Sequence, residues 1–177
     1  MMELHCLMPL IENVGITTQV SGTVGAATEA AKEGIPAIAF SGVSGTQTPY
    51  TAVSEPYVGI YADLATNLTQ TLVASGKPYL PSNIWLNVNF AAVKAGTCDS
   101  AAKYRFVLSR IYNLGILTPK DVETCGAKRL PSENLVIDAG CYVSVTVGKA
   151  NTKLDASAAN QAVVLGKLKG LLSCLSS

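Results

Sequence analysis

Two hydroxyl side chains flank a glycine at Ser21-Gly22-Thr23, and Val24-Gly25 follows, opening a run of strong helix formers. The start of a helix exposes N–H groups without intrahelical acceptors and carries about half a positive charge, so it attracts phosphate. Gly22 lets an anion approach the backbone, and the hydroxyls of Ser21 and Thr23 add two donors. The same residues have a plainer use, with Ser21 as an N-cap and the glycines permitting close packing. Local physics leaves both readings open. The segment is not a Walker loop, because no Gly-Lys-Ser/Thr follows, and it lacks the G-x-G-x-x-G of dinucleotide sites.

Other chemistry is thinly provided. His5 is the one histidine, so no Ser-His-Asp or Cys-His site can be built. Gly42-Val43-Ser44-Gly45-Thr46 lacks the spacing of a nucleophile elbow and reads as a loop. Asn87 and Asn89 share a strand face with Trp85, which makes them a hydrogen-bonded polar patch or a pair of ligand contacts. Nothing local pairs Asp138 with Asp155. Cys6, Cys98, Cys125, Cys141 and Cys174 are dispersed without a C-x2-C pair, which argues against zinc and leaves disulfides or buried thiols. Pairing by chain order joins Cys98 to Cys125 and Cys141 to Cys174, with Cys6 left over, although order does not determine connectivity. The first of these loops would contribute roughly 3 kcal/mol. Asn67-Leu68-Thr69 is a glycosylation sequon, and with the cysteine count it points to an oxidising, extracellular setting. Residues 1–20 do not read as a secretory signal, since Glu3, Glu12 and Pro9 interrupt them.

The elements that must position these residues follow from local signals. Residues 21–34 read as a helix capped by Ser21 and stopped by Gly34 and Pro36, with Val24, Ala27 and Ala31 as a narrow inner stripe. Residues 37–40 are continuously apolar, as a buried parallel strand requires. A helix is expected over 57–75, with Tyr61, Leu64, Leu68 and Leu72 inward, and an alternating strand over 84–90. Further strands are expected at 104–112, 135–137 and 141–147, and a final amphipathic helix at 155–174. Residues 1–20 are expected to be irregular or non-native, and 21–177 one domain. Hydrophobic residues make up 49% of the chain and charged residues 14%, against about a quarter in typical domains. So apolar a chain folds rather than staying disordered. A net charge of +1 gives no field for a nucleic-acid polymer, and no apolar run reaches membrane-spanning length.

Longer motifs carry a resemblance. Residues 21–27 (SGTVGAA), 34–41 (GIPAIAFS), 86–90 (LNVNF) and 140–146 (GCYVSVT) occur in an order similar to that of the SurE (survival protein E) family. Those proteins are metal-dependent nucleotidases and acid phosphatases, and the cysteine-bearing form looks most like an exported fungal branch. The resemblance implies an α/β, three-layer Rossmann-like fold with additional strands and a C-terminal helix, assembled as a dimer or larger. It also implies that Ser21, Gly22 and Thr23 hold the substrate phosphate. Family members begin with a strand ending in an Asp-Asp pair that binds the metal; this chain contains no Asp-Asp and resembles an N-terminally truncated member. Asn13-Val14-Gly15 matches the middle of the family's asparagine-bearing segment, which makes Asn13 the metal-ligand candidate.

The expected activity is hydrolysis of a small phosphate monoester, such as a nucleoside monophosphate, with Mg2+ or Mn2+. A single amide cannot hold such a cation, so impaired turnover is expected. The alternative is a catalytically incomplete secreted binding or structural protein that keeps only the phosphate turn.

Overall fold

In the computed structural model, described over residues 13–46, 49, 51–112 and 118–176, the capping signal at Ser21 is realised. The Ser21 side chain accepts the Val24 N–H at 3.2 Å and opens α1 (Gly22–Lys32). Val24, Ala27, Thr28 and Ala31 form its buried stripe, and Gly34, at φ +79°, ends it in the left-handed conformation that favours glycine. A short link leads to β1 (Ala37–Gly42). Pro56 starts α2 (Pro56–Ala74), which buries Ile60, Tyr61, Leu64, Leu68 and Leu72 at helical spacing. Then come β2 (Ile84–Phe90), β3 (Arg105–Ser109), α3 (Glu133–Asp138), β4 (Tyr142–Lys149), α4 (Ala158–Lys167) and β5 (Leu172–Ser173).

The five strands form one sheet in the order β1-β2-β4-β3-β5, with β2/β4 antiparallel and the other three pairs parallel. On one face Leu86, Val88, Val145 and Val147 meet α2, Val164 of α4 and Leu168 just after it. Tyr61 stacks on Phe90, ring centroids 5.0 Å apart, and lies over Gly42, where any Cβ would collide with its ring. On the other face Val24, Ala27 and Ala31 of α1 pack on Ala39 and Trp85. Helices on both faces of a largely parallel sheet give the three-layer α/β architecture.

Several local expectations change. Residues 135–137 lie in a helix, because Ser132 caps α3 by accepting the Leu135 N–H at 3.3 Å and places Glu133 in the first turn. The last helix spans ten residues, from the Ser157 cap to Lys167, and residues 172–173 become an edge strand. The strand expected at 104–112 is confined to five residues. The disulfides are Cys98–Cys141 and Cys125–Cys174, not the pairs in chain order. Sheet order decides this. The start of β4 lies against the connector after β2, where the Ala91 N–H bonds the Tyr142 carbonyl at 3.0 Å, so Cys141 meets Cys98. His5 and Cys6 lie outside the described residues.

Candidate phosphate-binding site

Side chains alternate across a strand, and on the α1 face of this sheet the central positions are polar. The register aligns Ser41, Asn89 and Ser144 in one row, and Asn87, Thr146 and Ser109 in the next. All six are buried. Buried polar groups are tolerated when hydrogen-bonded, and five of these bind one another or the chain that crosses above them, while Ser144 Oγ has no partner among the described residues. Ser109 and Thr146 hydroxyls meet at 2.7 Å, and the Ser41 hydroxyl donates to Asn89 Oδ1.

The chain above them is Asn13. Its N–H donates to Ser41 Oγ and to Asn89 Oδ1, each at 3.1 Å. Its carbonyl accepts from Asn87 Nδ2 and from Asn89 Nδ2. Residues 13–20 therefore enter the fold as an attached segment, with a 3-10 helix at Gly15–Gln19 that leads directly to Ser21. Several struts hold this helix, among them a Thr18–Tyr112 hydroxyl pair at 3.4 Å. Gly15 N–H donates to Glu133 Oε2 at 3.2 Å, Gln19 Nε2 donates to the Tyr112 hydroxyl at 2.9 Å, and Lys153 Nζ donates to the Gln19 carbonyl at 3.0 Å.

Glu133 and the Arg110 cluster anchor those struts. Glu133 is 1% exposed and accepts Asn87 Nδ2 at 2.7 Å. Burial pushes its carboxyl up to about 8, although the Asn87, Thr146 and Gly15 donors favour the charged form. Arg110, also buried, pairs with Asp121 at 2.7 Å and Asp155 at 3.4 Å. Asp155 accepts the Ile111 and Tyr112 N–H groups at 2.7 and 3.0 Å; burial raises its pKa against these donors and the Arg110 charge. Neither Glu133 nor the Arg110 cluster was marked by local sequence pattern. The one local signal is Ser132 followed by Glu133, a helix start placed just before the apolar run 135–137 that resembles a strand.

Because only residues 33–36 separate α1 from β1, the helix runs back along the strand. Its first turn therefore lies towards the carboxyl end of β1, the end at which open α/β sheets bind ligands. Ser21 and Thr23 are half-buried and Gly22 is exposed. A Cβ built at Gly22 or Gly25 would meet nothing within 4 Å, so close packing does not explain either glycine. The Ser21 oxygen serves as the cap and its hydroxyl hydrogen remains a donor. The structure thus realises the capping role of Ser21.

Divalent-cation chemistry fits the described residues poorly. Hard cations need several oxygen ligands, mainly carboxylates. Glu133 is the carboxyl group above the polar rows, and N–H donors of Asn87 and Gly15 occupy its oxygens. The Asn13 main chain is taken up by Ser41, Asn87 and Asn89, and among the described residues its side-chain nitrogen has no partner. Among the described residues no three His, Cys, Asp or Glu side chains gather as a metal site.

A family model described as Survival protein SurE matches residues 11–111, from the attached segment through β1, β2 and β3. The chain belongs to the SurE family. A SurE relative from Desulfatibacillum aliphaticivorans, described as 5'-nucleotidase SurE, is 40% identical over 81 residues, which cover 46% of this chain and 28% of that protein. The crystal structure of the SurE protein from Aquifex aeolicus shares the fold. It matches 82% of this chain and 58% of its own at a TM-score of 0.50, with 22% identity. This SurE chain thus spans well under two thirds of the length of either protein.

The remaining sequence candidates are dispersed. Asn67 is exposed mid-way along α2, its carbonyl accepting the Thr71 hydroxyl at 2.8 Å. Cys98 is buried, whereas Cys125 and Cys174 are exposed at the far edge of the sheet. None of these joins Ser21, Gly22 and Thr23.

Proposed function

We propose that this SurE chain binds the phosphate group of a small phosphate monoester, of the nucleoside monophosphate type, at the first turn of α1, and that the binding serves phosphomonoester hydrolysis. The observation that carries the reading is the open, unpacked glycine between two hydroxyls at a capped helix start. The N–H groups of that turn and the Ser21 and Thr23 hydroxyls would hold the phosphoryl oxygens. Such fixed donors need no reorganisation as charge shifts during P–O cleavage. A divalent metal is expected from the family, and its ligands would have to include groups other than those clamping Asn13.

A second reading is supported by the donor-rich surroundings of Glu133. In it the chain binds phosphate without turning it over. The two disulfides and the exposed Asn67 support an extracellular setting for either reading. Assembly as a dimer or larger remains a proposal from the family. Phosphate release from nucleoside monophosphates, with Mn2+ added, separates the readings. Turnover that disappears in a Ser21→Ala, Thr23→Ala double variant supports the hydrolase. Binding without turnover supports the second reading, and the absence of both overturns the phosphate turn altogether.

A further inference from the structure

We propose that Glu133 is a positioning residue of the phosphate site: its buried carboxyl group fixes residues 13–15 on the sheet, and the 3-10 helix transmits that placement to Ser21. The inference rests on the reading of Ser21, Gly22 and Thr23 as the phosphate turn.

Glu133 cannot touch a substrate itself, being 1% exposed beneath the attached segment. Its two oxygens act in opposite directions. Oε1 accepts Asn87 Nδ2 from the sheet at 2.7 Å, and Oε2 accepts the Gly15 N–H from the segment above at 3.2 Å. Asn87 Nδ2 also donates to the Asn13 carbonyl, so one amide and one carboxyl group grip both ends of the three-residue turn.

Little slack separates Gly15 from the phosphate turn. Gly15 holds a left-handed φ of +52° and begins the 3-10 helix. The N–H groups of Val20 and Ser21 both bond the Thr17 carbonyl, at 3.2 and 3.0 Å, which couples the helix to the cap residue. On its other side Glu133 is fixed by its own N–H, which bonds the Arg110 carbonyl at 3.1 Å, and Arg110 is pinned by Asp121 and Asp155. A buried ionisable side chain is generally no more stabilising than an apolar one of similar size. What Glu133 adds is two oriented acceptors at a defined place, and those acceptors set the position of the segment entering the site.

The test is isothermal titration of the full chain with inorganic phosphate, above pH 8 where the Glu133 carboxyl is ionised and well below the melting transition. Wild type is compared with Glu133→Gln, Glu133→Asp and the Ser21→Ala, Thr23→Ala double variant. Gln keeps the volume but turns an N–H2 towards one of the two donors. Phosphate affinity is expected to fall about tenfold, the effect of one misdirected buried hydrogen bond, with unchanged far-UV dichroism. Asp keeps both acceptors on a shorter stem and is expected to recover part of the loss. A folded Glu133→Gln that binds phosphate as wild type does overturns the positioning role alone. A wild type that binds no phosphate, or binds no better than the double variant, overturns the phosphate turn and the role assigned to Glu133 with it. Hydrogen exchange on wild type covers the case in which Glu133→Gln fails to fold. Coupling is reciprocal, so phosphate should slow exchange of the Gly15 amide several-fold, and an unchanged Gly15 counts against the proposal.

Discussion

The two faces of the central sheet come from the same strands and are equally dry, yet they are built from opposite materials. Towards α2 and α4 the strands present Leu86, Val88, Val145 and Val147, which any close-packed apolar layer satisfies. Towards α1 the same strands present Ser41, Asn87, Asn89, Ser144 and Thr146, which demand specific partners. An apolar face needs only matching volume and tolerates substitution by similar shapes. A buried polar face needs each donor and acceptor met, so it costs more to build and specifies one arrangement. Here the polar face holds Asn13 by its main chain, and Asn13 leads through one short helix to the proposed phosphate turn. The contrast separates what keeps this SurE chain folded from what places its site.

That separation can be broken most visibly on the apolar face. Leu86→Ala is expected to lower stability by about 2–5 kcal/mol, from lost transfer energy and the cavity left behind. Phosphate affinity of the folded protein should not change, and urea unfolding beside phosphate titration checks both. Asn87→Ala is expected to reverse the pattern. Stability should fall by about 1–3 kcal/mol, because the Asn13 carbonyl and Glu133 Oε1 lose their shared donor. Phosphate binding should weaken with it. If Leu86→Ala impaired binding as much as Asn87→Ala, the division of labour between the faces would be wrong.

A subtler effect follows from pH. Burial raises the Glu133 carboxyl from its ordinary 4.5 to about 8, so between those values the folded chain keeps a proton that the unfolded chain releases. The stability contributed by this group is fully present below pH 4.5 and is lost as pH rises through about 8. Asp155, also raised by burial, acts in the same sense. The melting temperature should decline across this window, and Glu133→Gln should flatten the decline. A melting temperature that rises with pH in wild type and in Glu133→Gln alike would contradict the assignment.

Legibility in the sequence divides by contact range. The Ser21 cap, the Gly34 stop, the Val24–Ala27–Ala31 stripe and the inward face of α2 were readable, since each rests on neighbours within a turn or two. The grip on Asn13 was not, because its partners Ser41, Asn87 and Asn89 lie 28, 74 and 76 residues away. Glu133 meets Gly15 across 118 residues, and its helix resembles a strand in sequence because Leu135, Val136 and Ile137 form a short apolar run. The disulfide pairs depended on β4 inserting between β2 and β3, which chain order does not reveal. Family motifs brought Asn87, Asn89 and Ser144 into view, while their common burial under one segment emerged only in three dimensions.

The central claim is that the first turn of α1 holds phosphate through Ser21, Gly22 and Thr23. Titration of a nucleoside monophosphate into wild type and the Ser21→Ala, Thr23→Ala double variant, followed by amide shifts, tests it most directly. The account predicts saturable shifts centred on residues 21–25 and an affinity at least tenfold lower in the variant, as expected for hydrogen bonds to a charged group. Equal affinity in the two proteins, or shifts centred elsewhere on the sheet, would contradict it.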